Sequence, residues 1–190
     1  MTMLRQHASD VHGLPHAQRF LGIRFPTRMG VVRLPDGGVW LWSPVPLDDA
    51  AARAVEALGP VRHIVAPNRF HHVSVGPAQA RFPDARVFAA PGLERKRKDL
   101  TFDDVLGDAP PAAWGGVFEQ VLLRAAPTFH EVVFFHRPTG TVFVADLFLN
   151  VRETESWLER LYFGLEGCHG RLAVPRLMHL ITRDRAEMRA

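Results

Sequence analysis

The chain has 190 residues, 47% hydrophobic and 23% charged, with a formal net charge of +3 and a single cysteine, Cys168. That length suits one domain with a core of its own, and one thiol excludes both an internal disulfide and a four-thiolate zinc site. No apolar run approaches the roughly 18 residues of a spanning helix, and the opening Met-Thr-Met-Leu-Arg-Gln-His lacks a signal-peptide core, so a soluble, cytoplasmic protein with no membrane partner is expected.

Residues 1–18 mix His, Gly and Pro with polar groups and no period, which predicts a loose N-terminal arm ahead of a single domain over 19–190. Met29 to Leu34, the turn Pro35-Asp36-Gly37-Gly38 and Val39 to Trp42 predict a β-hairpin. Asp48 is placed to cap a helix from Ala50 to Leu58, which Gly59-Pro60 ends. Val61 to Ala66 is a short apolar strand running into Pro67-Asn68-Arg69-Phe70-His71-His72. Strands are also expected at Ala85 to Ala89 and Val117 to Leu123, with Trp114 as an anchor between them. Glu131 to His136 and Thr141 to Ala145 flank Arg137-Pro138-Thr139-Gly140 as a second hairpin, and their lack of alternation predicts burial on both faces. Two helical stretches close the chain, one capped by Thr154 and running to Leu165, the other from Val174 to Met188 with Leu177, Leu180, Ile181 and Met188 on one face. Alternating strands and helices predict an α/β fold.

Of the 23 basic residues only Lys96 and Lys98 are lysines. The arginines spread from Arg5 to Arg189, without the one-sided clustering of a nucleic-acid surface, so nucleic acid is not an expected partner. Arg95-Lys96-Arg97-Lys98 reads as a solvated helix end. The oligomeric state is not legible.

The ten histidines carry more information. His7, His12 and His16 fall in the arm and read as solvated, while His63 and His136 sit inside apolar strands as structural imidazoles. His71, His72 and His130 lie at strand ends, where loops held by a sheet can face a cleft; His169 and His179 lie near the C-terminus. Asp146 closes the apolar run Val142-Phe143-Val144-Ala145, and so needs a cation, a backbone donor or a metal as partner. Imidazole and carboxylate donors together suit one zinc, iron or manganese ion. An ion pair between Arg69 and Asp146 would satisfy the same groups without metal.

Several segments are similar to the DUF4336 family: Phe25-Pro26-Thr27-Arg28-Met29, the hairpin Val32 to Trp40, Ser43-Pro44-Val45-Pro46-Leu47, Leu58-Gly59-Pro60-Val61, Ala66-Pro67-Asn68-Arg69-Phe70-His71-His72 and Glu131 to His136. That family resembles a divergent branch of the metallo-β-lactamase-like superfamily. The resemblance implies a four-layer αββα sandwich with a metal-centred cleft where strand-end loops of the two sheets meet. Laid on the superfamily motif His-x-His-x-Asp-His, the chain has Pro67 and Arg69 where the first two histidines stand, and proline and arginine are not metal ligands. His71 replaces the aspartate, His72 and His130 match histidines, and Asp146 matches the bridging aspartate. The resemblance therefore implies a reduced, mononuclear metal position built from His71, His72, His130 and Asp146. The metal would activate water to hydrolyse an ester, thioester or phosphoester, with Arg69 holding a small anionic substrate and Asn68 donating a further hydrogen bond. The alternative is a non-catalytic descendant that binds an anion or ligand or acts as an interaction protein. Members of the superfamily usually close with a further strand and a final ligand in a His-Gly pair; His169-Gly170 has those letters but follows no strand, which makes the sandwich look truncated at its C-terminal end.

Overall fold

A computed structural model describes residues 3–124 and 129–182. The first of its sheets has seven strands in sequence order: β1 (Arg5–Ala8), β2 (Val11–Phe20), β3 (Ile23–Arg33), β4 (Val39–Trp42), β5 (Val61–Ala66), β6 (Arg86–Ala89) and β7 (Asp104–Val105). β1 to β4 pair antiparallel, and β4 to β7 pair parallel. Parallel neighbours need crossovers, which are supplied by α1 (Asp49–Glu56), α2 (Val75–Arg81) and α3 (Leu93–Lys96). The second sheet is an antiparallel meander of β8 (Phe118–Leu123), β9 (Glu131–His136) and β10 (Thr141–Phe143), followed by α4 (Trp157–Leu165) and α5 (Arg176–Ile181).

Each layer follows from its residues. Asp48 accepts the Ala51 N–H at 2.7 Å as N-cap of α1, whose Ala51, Ala52 and Val55 pack with Val75 and Ala78 of α2 onto Val31, Leu41, Ile64 and Val87 of the large sheet. On the opposite face Trp40 is fully buried, with ring centroids 6.0, 5.2 and 5.5 Å from Trp114, Phe134 and Phe143 in edge-to-face geometry. That aromatic cluster joins the two sheets. The architecture is an α/β sandwich of two sheets, with both predicted hairpins present.

Several local expectations change. Residues 3–18 are not a loose arm: β1 and most of β2 lie there, and β2 pairs along its whole length with β3, from Val11 opposite Val32 to Phe20 opposite Ile23. Pro15 is tolerated in β2 because β1 reaches only to Gly13, which leaves that stretch as an edge. The second meander is not buried on both faces, since Val121, Phe135 and Val142 face outward and are exposed. Ser156, rather than Thr154, caps α4 by accepting the Glu159 N–H. In α5 the buried side chain is Met178, while Leu177 and Leu180 are exposed; Met188 and the rest of that predicted helix lie outside the described residues.

Candidate functional site

The site gathers at the carboxyl ends of β4 and β5, the position where open α/β sheets form clefts. Ser43 follows β4 directly. Its N–H donates to Val65 O at 2.8 Å, and its backbone sits at φ 53°, in the left-handed region that L residues with a side chain seldom occupy. This sharp bend points the hydroxyl away from the sheet toward the loop that follows β5.

That loop is built by Asn68, which is fully buried. Its Oδ1 accepts the N–H groups of Phe70 and His71, both at 2.9 Å, in an Asx-type turn. Its Nδ2 donates to Asp146 Oδ2 at 2.7 Å and to Glu131 Oε2 at 3.4 Å. Glu131, at the start of β9, in turn accepts the backbone N–H groups of Ala145 and Asp146 at 2.8 Å and of Leu147 at 3.2 Å. Asn68 and Glu131 thus fix His71 and Asp146 on loops from different sheets.

Between them lies His71. Its Nδ1 is 2.5 Å from Ser43 Oγ and its Nε2 is 3.4 Å from Asp146 Oδ2. An ionised Asp146 only accepts, so Nε2 carries a proton; in the neutral ring Nδ1 is then the acceptor and the Ser43 hydroxyl is the donor. Burial pushes His71 down, but the charge and hydrogen bond of Asp146 and the charge of Glu131 outweigh it and raise its pKa above the ordinary value. Burial works against ionised Asp146, yet the charge of His71 and the hydrogen bonds of His71 and Asn68 hold its carboxyl below the ordinary value. Burial and then the Asp146 charge raise Glu131, against the backbone N–H groups that favour its ionised form.

The remaining expected ligands are turned elsewhere. His72 Nδ1 is 2.9 Å from Arg97 Nη1, a donor-only group, so that nitrogen accepts. Burial and the charges of Lys96 and Arg97 push the His72 pKa down to about 4. His130 sits at φ 45° and its Nδ1 donates to Pro91 O at 3.1 Å, on the β6 side of the cleft. Arg69 lies against Gly92, where a Cβ would come within 3.4 Å of Nε, and its carbonyl accepts the Lys96 ammonium at 2.7 Å. The four expected donors therefore do not converge. Among the described residues no group of three or more His, Cys, Asp or Glu is placed to hold a metal ion. A divalent cation beside His72 would also meet Lys96 and Arg97 at close range. Of the six residues singled out from sequence, the structure brings together Asn68, His71 and Asp146, and adds Ser43 and Glu131.

Two cavities meet at this cluster. One, of about 470 Å³, is lined by Ser43, His71 and Asp146 on its polar side, by Phe25, Phe70 and Tyr162 among its apolar walls, and by Lys96. The other, of about 840 Å³, shares His71 and Asp146 and opens along β2 and β3.

The chain's relatives are consistent with this architecture. No curated protein matches it by sequence. Among solved structures it is similar to a metallo-β-lactamase from Pontibacter korlensis (14% identity, 73% of this chain and 68% of that chain, TM-score 0.58). It is also similar to the metallo-β-lactamase FIM-1 of Pseudomonas aeruginosa in its mono-zinc form (14%, 99% and 96%, TM-score 0.60). The DIM-1 metallo-β-lactamase exposed to ceftazidime gives 13% identity over 100% of this chain and 98% of that one, with a TM-score of 0.63. At such identities the likeness concerns the fold. The chain has the metallo-β-lactamase-like fold, and since residues 9–162 match the domain of unknown function DUF4336, it belongs to that family.

Proposed function

We propose that the protein is a metal-independent member of its fold that binds a small amphipathic anion, of the size of a medium-chain carboxylate, in the cavity of about 470 Å³. The observation that carries this reading is the closed polar cluster. Asp146 is held by His71 and Asn68 rather than left as an unpartnered donor awaiting a metal. Cavities of this size, mostly apolar with a few convergent polar groups, are typical small-molecule sites. Here the aromatic walls suit an alkyl body, and the Lys96 ammonium supplies positive charge for the head group. The sandwich also fits a metallohydrolase with one ion at His71, His72, His130 and Asp146, but that centre requires His72, whose Nδ1 accepts from Arg97, to change partner.

Tag-free protein separates the two readings. Elemental analysis should find less than about a tenth of an equivalent of zinc, iron or manganese, and millimolar octanoate should raise the melting temperature by a few degrees through preferential binding to the folded state. Stoichiometric metal, or a melting temperature indifferent to octanoate, would contradict the proposal.

A further inference from the structure

The cavity wall carries more than a binding site needs. Ser43 hydroxyl, His71 imidazole and Asp146 carboxylate stand in series: Oγ to Nδ1 at 2.5 Å and Nε2 to Oδ2 at 3.4 Å. Nucleophile, base and orienting acid are recognised by such geometry and by their roles, whatever the fold or chain order. We infer that Ser43, His71 and Asp146 form an acyl-transfer triad that acts on the ester or thioester of a medium-chain carboxylic acid seated in this cavity. The inference rests on the ligand-binding reading above and adds the chemistry done on the ligand.

Three observations carry it beyond the juxtaposition. Ser43 is held at φ 53° between a strand and Pro44. Such a conformation is unfavourable in a residue with a side chain and persists where its surroundings impose it. A serine used only as filler would not require this bend, whereas a nucleophile on a sharp turn at a strand end gains reach. The second observation is support around the base: Asn68 Oδ1 holds the His71 backbone and Asn68 Nδ2 holds Asp146, so one buried amide sets both ends of the Nε2 contact. The third is the shared cavity, in which Ser43, His71 and Asp146 line one wall and Phe25, Phe70 and Tyr162 line others.

The chemistry balances without metal or redox partner. Ser43 Oγ bonds to the acyl carbon as its proton passes to His71 Nδ1, and the carbonyl π pair moves onto oxygen. On collapse the bond to the leaving alkoxide or thiolate breaks with its electron pair, and that group takes the proton from Nδ1. Water then adds to the acyl carbon, gives its proton to His71 Nδ1, and expels Ser43 Oγ, which recovers that proton. Ester and water become acid and alcohol. The ring is used in the opposite sense to a serine protease's, with Nδ1 toward serine and Nε2 toward aspartate, because His71 enters from the loop after β5. Asp146 touches no substrate in this scheme and is a positioning residue.

The test uses the full chain with an octyl fluorophosphonate and with p-nitrophenyl octanoate. One phosphonyl adduct is expected, mapped to Ser43, and absent from Ser43→Gly and His71→Gln. Glycine is the informative replacement, since it removes the hydroxyl while accepting φ 53°; Ser43→Ala with a folded-state spectrum provides the second variant. Both variants should lower kcat on p-nitrophenyl octanoate by about 10²-fold or more. Asp146→Asn should lower kcat with little change in KM and should slow phosphonylation. An unlabelled Ser43, or turnover that survives in Ser43→Gly, overturns the triad even when octanoate still raises the melting temperature. Failure of octanoate to stabilise the wild-type chain overturns the binding reading and the triad together.

Discussion

Carboxylate oxygens only accept hydrogen bonds, and Glu131 uses both of its own to receive three successive backbone N–H groups at 2.8–3.2 Å. In a Glu131→Gln chain one side would turn an NH2 group toward those N–H donors. The buried donors would then lack an acceptor, at a cost of about 1–3 kcal/mol, and a urea melt should show that loss with an unchanged m-value. Asp146 and His71 stand out in the sequence because an acid closing an apolar strand and histidines at a strand end both call for partners, whereas Asn68 is reached only through the family resemblance. Glu131 was not, since its partners lie fourteen to sixteen residues further on and are main-chain groups. Ser43 before Pro44 reads simply as a strand terminator until its φ is seen. The motif alignment also placed His72 beside His71 as a ligand, but adjacent side chains on a tight loop diverge: one ring meets Asp146 and the other Arg97.

At the scale of single strands, His63 and His136 are imidazoles in sheet interiors, 8% and 2% exposed. Burial lowers both pKa values. Asp36 opposes this at His63, where Arg86 and Arg62 reinforce it, and Asp10 opposes it at His136. Below about pH 6.5 the unfolded chain takes up protons that the folded chain refuses, so stability falls as pH falls from the unfolded pKa toward the lowered folded ones. The melting temperature should therefore drop by several degrees between pH 8 and pH 5, and the double variant His63→Gln/His136→Gln should flatten that slope. Their structural character was readable from position inside apolar runs. The β3–β4 hairpin and the Asp48 cap were readable for the same reason: turn chemistry and caps are encoded in a few adjacent residues. β2 was not, because a strand bearing His, Gly and Pro owes its form to its partner β3, and pairing across a chain is invisible to local periodicity.

For the molecule as a whole, sheet pairing and helix layers place the cluster where β4, β5 and β10 end, so each sheet contributes to one cavity wall. The fold class could be read from element order and family resemblance; the metal cleft expected from that resemblance could not be checked without side-chain directions. β2 and β3 also extend past their neighbours. Among the described residues, 14–20 and 23–29 pair only with each other in the sheet, because β1 reaches Gly13 and β4 pairs with β3 only from Gly30 onward. This two-stranded ribbon is fastened at its far end to α4 through the Arg24 N–H on Glu159 and the edge-on contact of Phe25 with Tyr162 and Phe163. A ribbon held by one helix can detach at a free energy well below that of global unfolding. Phe25 and Thr27 line both cavities, so the proposed ligand would touch this ribbon directly. Amide hydrogen exchange should be faster across 15–20 and 23–28 than at Val31 or Ile64, and octanoate, if it seats against Phe25, should slow the ribbon selectively, so that occupancy is read as protection of one hairpin.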